Sequence, residues 1–274
     1  MPVPVVMKSP YMNSFRSLWL YRDFILGSVK RDFCSKFQNS IIGILWVFLN
    51  PLAMIFVYTV VFSQLMKAKL PNVAGPYSYS IYLCMGILCW SLFAEIFSHS
   101  INLFLENANL LKKIKFPKIC LPVILVFNAW INFAIIFGIF IIFLMVTKNF
   151  PGRIFLSVIP ILLVISLFAV SLGVGLGVLN IFYRDIGQVS GMFLQFWFWL
   201  TPIVYSIEIL PTKLQAFLQL NPMLPLIAGL QRVVVVRELP IWGSLIYPLV
   251  ASLLLGWWAI RVFKNHQNDM MDEL

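Results

Sequence analysis

The residues of this chain that could do chemistry are few, and their spacing limits the chemistry. Glu95 and His99 lie four apart, so a helix would put them on one face. An acid beside an imidazole in an apolar run is what a proton relay requires. A hydrogen bond from Glu95 to a neighbouring helix is the competing reading, and a single pair near the end of a span gives proton coupling thin support. Tyr183-Arg184-Asp185 sets a guanidinium next to a carboxylate between two long apolar runs. That suits a clamp at a helix junction, a contact to a diphosphate, or a charge that only orients the chain. Trp46 and Asn50 share a face just ahead of Pro51, which removes a helix hydrogen bond and can kink the helix. Phe193, Phe196, Trp197 and Leu200 follow i, i+3, i+4, i+7 and so form one stripe, with Trp199 and Tyr205 close by. Packing against lipid or another helix is the plain reading of such a stripe.

Other chemistries lack their motifs. There is no G-x-x-x-x-G-K-[ST], so this chain is expected to bind no nucleotide through a P-loop, and no H-E-x-x-H or G-x-S-x-G. Cys34, Cys84, Cys89 and Cys120 lack metal-like spacing and read as free thiols. No catalytic residue, metal ligand or cofactor site is expected here, and the chain reads as no enzyme by itself.

The elements that must position these residues are set by composition. Of 274 residues, 61% are hydrophobic and 11% charged, against about a quarter charged in a soluble domain. A water-exposed surface cannot be built from so few charges, which points to an all-α integral membrane protein. Runs without Asp, Glu, Lys or Arg cover 41–66, 119–147, 154–182, 186–207 and 239–260, and 79–105 is interrupted only by Glu95 and His99. Each can supply the roughly 20 residues a span needs, giving six expected transmembrane helices. The stretch 209–236 is apolar but broken by Pro211, Lys213, Pro222, Pro225, Gly229 and Arg232. It reads as re-entrant half-helices before the last span, with a seventh span as the alternative. The expected organisation is a cytoplasmic segment at 1–40, a six-span domain at 41–264 and a cytoplasmic tail at 265–274.

The net charge of +10 is then an orientation signal, with no nucleic acid implied. With six spans, 13 of the 20 Lys and Arg fall on the side of the two termini and 7 on the other. The positive-inside rule places both termini in the cytoplasm. Before the first span, Phe15, Leu18, Trp19, Ile25, Leu26, Val29, Phe33 and Phe37 fall near one helical face, with Arg16, Asp23, Lys30, Arg31 and Lys36 elsewhere. This predicts an amphipathic helix in the membrane interface, or one packed on a partner subunit.

Four segments in order carry a resemblance. They are Gly43 to Leu52 with its Trp46-x-x-x-Asn50-Pro51, the charged loop Glu106 to Pro117, Tyr183-Arg184-Asp185, and Thr201-Pro202-Ile203-Val204-Tyr205 followed by Asn221-Pro222. Together they resemble the permease subunit of type-2 ABC exporters of lipid-linked polysaccharides, over nearly the whole chain. The resemblance implies a homodimer in the bacterial inner membrane, working with a separate ATPase that binds ATP and Mg. It implies a channel at the dimer interface lined by the first and fifth spans, hence by Trp46, Asn50, Phe193, Phe196, Trp197, Trp199 and Tyr205. Aromatic faces there suit a sliding sugar chain, because they stack on pyranose CH faces without one fixed hydrogen-bond pattern. It implies that the loop, Asn109 included, docks on the ATPase, with Leu110 and Leu111 buried there and Glu106, Lys112 and Lys113 setting orientation at the rim; a solvated charge run whose lysines only enforce topology is the competing reading. Tyr183, Arg184 and Asp185 become a cytoplasmic gate. O antigen is preferred over capsule or teichoic acid as the cargo. The same fold moving small hydrophobic compounds is one rival; a membrane-embedded glycan transferase or polymerase is another, and the chain offers that chemistry few acids beyond Glu95, Asp185, Glu208 and Glu238.

Overall fold

The structure is a computed structural model that describes residues 19–35, 53, 56, 57, 60, 77–113, 117–266 and 269–273. The expected first span, with Trp46 and Asn50, lies outside the described residues except for isolated positions. All regular structure among the described residues is helical. The helices are α1 (Arg22–Ser35), α2 (Ser78–Glu106), α3 (Ala108–Lys113), α4 (Cys120–Val146), α5 (Val158–Phe182), α6 (Asp185–Leu200), α7 (Thr212–Leu218), α8 (Met223–Gln231), α9 (Trp242–His266) and α10 (Asp269–Glu273). A 3-10 turn at Gly152–Ser157 runs into α5, and a π turn at Arg232–Val236 extends α8.

Four of these helices are long and apolar enough to cross a membrane: α2, α4, Gly152–Phe182 and α9. They coincide within a few residues with the runs expected at 79–105, 119–147 and 154–182, while α9 starts later than 239 and runs on to His266. Uninterrupted apolar sequence leaves the backbone no better option in a bilayer than internal hydrogen bonding. The fifth expected span is different. α6 has 16 residues and stops at Leu200, not at 207. Thr201 precedes Pro202, whose ring disfavours the helical region for it; Thr201 is extended, at φ −102° and ψ 126°. At about 1.5 Å per residue α6 is ~24 Å long, short of the ~30 Å hydrocarbon core.

Successive long helices alternate in direction, and two end clusters fix the polarity. At one end, Leu103 and Phe104 of α2, Leu111 of α3, Leu121 of α4, Val178 and Ile181 of α5 and Met270 of α10 pack together, joined by Val262 and Phe263 of α9. At the other end the Tyr77 ring meets Phe143 edge-on. The segment after α6 begins beside Tyr79 and Tyr82 near the start of α2. It finishes beside the start of α9, where Tyr247 donates to the Leu220 carbonyl at 2.8 Å. It therefore enters and leaves at the end opposite α3, bent by 103° between α7 and α8 with its π turn.

α2 is the hub. In the most apolar window of each helix, 78% of residues are buried for α2 but 22% for α4 and for α9, so the latter two form the rim. Close approach to the hub depends on α5 glycines. A Cβ on Gly173 would lie 2.5 Å from the Ser100 Cβ, and one on Gly177 2.5 Å from the Ser100 carbonyl oxygen. Gly175 faces the other way, where a Cβ would meet the Trp258 ring at 2.1 Å.

The N-terminal helix forms, but its apolar residues divide. Ile25 and Val29 are buried with Cys120 and Ile124, and the Asn128 amide donates to Asp32 at 2.9 Å. Trp19, Leu20 and Leu26 point outward. One face of α1 thus lies along the first turns of α4.

Candidate functional site

The aromatic stripe of α6 can be built from its backbone. At 100° per residue, positions 193, 196, 197 and 200 span a broad arc, not a line. The structure splits that arc. Phe196 and Trp199 are 71% and 64% exposed, and Phe193 and Leu200 are about half exposed. Trp197, at 9%, turns into the bundle. Its ring meets Phe93 at 5.1 Å and Trp90 at 6.1 Å, both edge-on. Trp197 is thus a packing residue of this chain, and the outward face is formed by Phe193, Phe196 and Trp199.

An indole in such a core needs an acceptor for its N–H. Asn221 supplies it from 24 residues downstream: the indole Nε1 donates to Asn221 Oδ1 at 2.9 Å. The same amide donates to the Thr201 hydroxyl at 2.9 Å and accepts from the Met223 N–H at 3.0 Å. The Thr201 hydroxyl in turn donates to the Trp197 carbonyl at 2.8 Å. Beyond the break, the backbone is held by tyrosines of α2. Tyr79 donates to the Val204 carbonyl at 2.6 Å, and Tyr82 to the Tyr205 carbonyl at 3.1 Å. The Gln231 amide donates to the Tyr82 carbonyl at 3.3 Å, tying the π turn to the same point. Tyr205 is half-buried and donates to the Trp199 carbonyl at 2.8 Å. The Val204 and Tyr205 carbonyls have left the helix ladder, and each gains a donor.

At the α3 end, Asn180 plays the corresponding part. It is 1% exposed and donates to the Ile101 carbonyl at 3.3 Å, while its oxygen accepts from the Gly187 N–H at 2.8 Å. It thereby joins α2, α5 and the first turn of α6. Tyr183, Arg184 and Asp185 sit at this junction, all exposed. Arg184 and Asp185 form no ion pair; among the described residues the ion pairs are Arg22–Asp23 and Arg232–Glu238. The expectation of a partly desolvated clamp within this triplet is therefore corrected. Two adjacent side chains at a helix start diverge, and both remain in contact with solvent.

The loop before α4 holds a short helix, α3, as its charged sequence suggested. Leu111 is 7% exposed and belongs to the end cluster, so it is not free to enter a partner. Leu110 is partly covered; Glu106, Asn109 and Lys112 are exposed. The backbone of Lys113 ends α3, and its side chain lies outside the described residues. Lys118 places its ammonium 5.8 Å from the Phe263 ring centroid, and partial burial pulls its pKa below the ordinary lysine value.

Glu95 accepts from the Asn132 amide at 2.8 Å, as the helix-tie reading expected. With His99 it lines a cavity of about 270 Å³ between α1, α2 and α4, which also meets Arg31, Asp32 and Glu106. Sequence reasoning passed over Tyr79, Tyr82, Asn132 and Asn180. The available signal was the rarity of amides and hydroxyls inside apolar runs, where each must find a partner.

Residues 25–235 match the family described as ABC-2 type transporter. Among curated proteins, the chain is 25% identical over 262 residues to the O-antigen export system permease protein RfbA of Myxococcus xanthus, covering 94% of this chain and 98% of that one. It is 27% identical over 241 residues to a protein of the same description from Klebsiella pneumoniae, covering 88% of each. A second Klebsiella pneumoniae protein of that description is 25% identical over 232 residues, covering 84% of this chain and 85% of that one.

Proposed function

Because the chain belongs to the ABC-2 type transporter family, we propose that it is the membrane permease subunit of an ATP-driven exporter of lipid-linked polysaccharide, O antigen in the first instance. Two copies pair in the inner membrane, and a separate ATPase with ATP and Mg binds at the α3 end. That end, with both termini, faces the cytoplasm. The transport path runs between the copies, along α6 and the first span with Trp46 and Asn50.

One observation carries this reading. α6 turns Phe193, Phe196 and Trp199 outward while Trp197 fixes its opposite side to the bundle. An exposed aromatic row on a rigidly backed helix gives a repeating sugar chain many similar weak contacts. It also leaves an apolar face for the second copy at its edges. Glu106, Asn109 and Lys112 of the α3 region meet the ATPase at their exposed positions, and Leu111 holds that short helix to α2 and α4. Movement of the loop is thereby passed to the hub. Tyr183, Arg184 and Asp185 stand free at the cytoplasmic start of α6, where Arg184 suits the diphosphate of an incoming lipid carrier. α1 lies at the cytoplasmic boundary of the bundle, its Trp19, Leu20 and Leu26 toward lipid.

The test substitutes Phe196→Ala and Trp199→Ala together and measures polysaccharide export and ATPase activity in parallel. Export should fall at least tenfold with assembly and basal ATP hydrolysis retained. Unchanged export with normal assembly removes the aromatic path.

A further inference from the structure

At the end opposite α3, four basic residues from two separate parts of the sequence come together. Lys148 follows the end of α4, and Arg153 lies in the 3-10 turn before α5. Arg232 and Arg237 bracket the π turn, which packs against that 3-10 turn. Arg237 crosses the gap, donating to Asn149 Oδ1 at 2.9 Å and approaching the Lys148 carbonyl at 3.5 Å. Arg232 is neutralised by Glu238. Lys148, Arg153 and Arg237 are exposed and have no carboxylate partner among the described residues. Arg237 spends its hydrogen bonds on neutral oxygens, so its charge is oriented but not cancelled.

The backbone adds a second observation. Lys148 at φ 56° and Arg237 at φ 62° are the only positive-φ residues other than glycine among the described residues. Such left-handed positions favour glycine or asparagine, and their unfavourable occupants concentrate at functional sites. Here both occupants are cations, and they touch. A third observation sets the depth. Val146, Phe150, Leu156 and Leu239 are exposed apolar residues flanking the patch. A cationic cluster collared by apolar side chains at the end of a spanning bundle sits where lipid phosphates lie.

We propose that Lys148, Arg153 and Arg237 form a binding site for the headgroup phosphate of an anionic lipid, in the leaflet away from the α3 end. The guanidinium of Arg237, already held by Asn149, presents its free N–H groups to phosphate oxygens. Lys148 and Arg153 add charge from either side. The site rests on the spanning bundle alone, and its argument does not depend on which cargo the protein exports.

The test uses the full-length chain in detergent, with bound lipid counted by native mass spectrometry. Phosphatidylglycerol should be retained over phosphatidylcholine. Arg237→Gly and Lys148→Gly should each weaken retention about fivefold, the ratio expected for one cation near an anionic headgroup. Both keep the thermal midpoint, because glycine suits the left-handed backbone. Arg237→Lys keeps the charge but not the fork, and should retain more lipid than Arg237→Gly. Adding a polyprenyl diphosphate identifies the source of the phosphate: if it displaces phosphatidylglycerol the site takes the carrier lipid, and if it does not the site takes bulk phospholipid. Equal retention of both phospholipids, or no loss in the glycine variants, overturns the proposal. So does an Arg237→Lys variant as weak as Arg237→Gly.

Discussion

Asn221 has one oxygen and one amide nitrogen, and it uses them on three groups from two elements. Asn221→Ala would strand the Trp197 N–H and the Met223 N–H in a buried setting, and should cost about 2–4 kcal/mol. Trp197→Phe keeps one ring in the pocket but loses the donor and part of the buried volume, and should cost about 1–2 kcal/mol. We predict that the thermal midpoint of the purified protein falls in that order, with Asn221→Ala well below Trp197→Phe. Equal midpoints would show that the amide serves only the loop. The inward turn of Trp197 was not legible from the stripe. Helical spacing identifies neighbours on an arc but not which edge of the arc faces the core, and the deciding partner lies 24 residues away. Glu95 is legible in the opposite sense. Its neighbour Asn132 is one of two amides, with Asn128, in an otherwise apolar run, and Glu95→Gln can keep their hydrogen bond. That variant should leave ATP-driven export within about twofold, whereas a proton relay would lose it, since relays depend on an ionisable side chain.

Among elements, α5 is the most sensitive to added volume. Gly173→Ala or Gly177→Ala drives a methyl into the α2 backbone region, where a neighbour cannot give way as a flexible side chain would. The close approach of α5 to α2 along this seam should fail, with a loss of about 2–4 kcal/mol or of assembly altogether. Gly138→Ala in α4, with open space around it, is the matched control and should be neutral or slightly stabilising. Detergent-stable yield by size-exclusion chromatography separates the two. The α3 region offers a second comparison. A cysteine at exposed Asn109 should crosslink to the ATPase, and one at Leu111, 7% exposed, should not. The extents of α2, α4 and α5 were readable because each is one apolar run closed by charges or prolines. The end of α6 was not, since apolar residues continue past it to 207. The sign lay in Thr201-Pro202, a residue pair that a hydropathy count ignores.

For the molecule as a whole, the decisive feature is that 201–241 returns to the end it left. α9 then carries the chain back to the α3 end, where Met270 is buried against Leu103 and Leu121. A cysteine replacing Lys264 should therefore react only with reagents that enter the cytoplasm, and one replacing Lys213 should react from outside. Labelling of Lys264→Cys by an impermeant reagent in intact cells would invert this arrangement. The sequence marked 209–236 as broken, yet its prolines alone were compatible with a kinked span. Its path is held by the hydroxyls of Tyr79 and Tyr82, more than a hundred residues upstream, and by Asn221 within the segment; these polar residues are visible in the sequence, but their pairing is not.

Those tyrosines also set an order of assembly. The carbonyls of Val204 and Tyr205 have no helix partner and depend on Tyr79 and Tyr82. Without them, the segment after α6 would carry bare polar backbone against lipid. α6 is therefore poorly suited to settle in the bilayer alone as it leaves the ribosome. It needs a receptor already in place, and the chain provides one: α2 is synthesised about a hundred residues earlier. A protein in which the two helices were permuted would offer the membrane an unfinished span with nothing waiting for it.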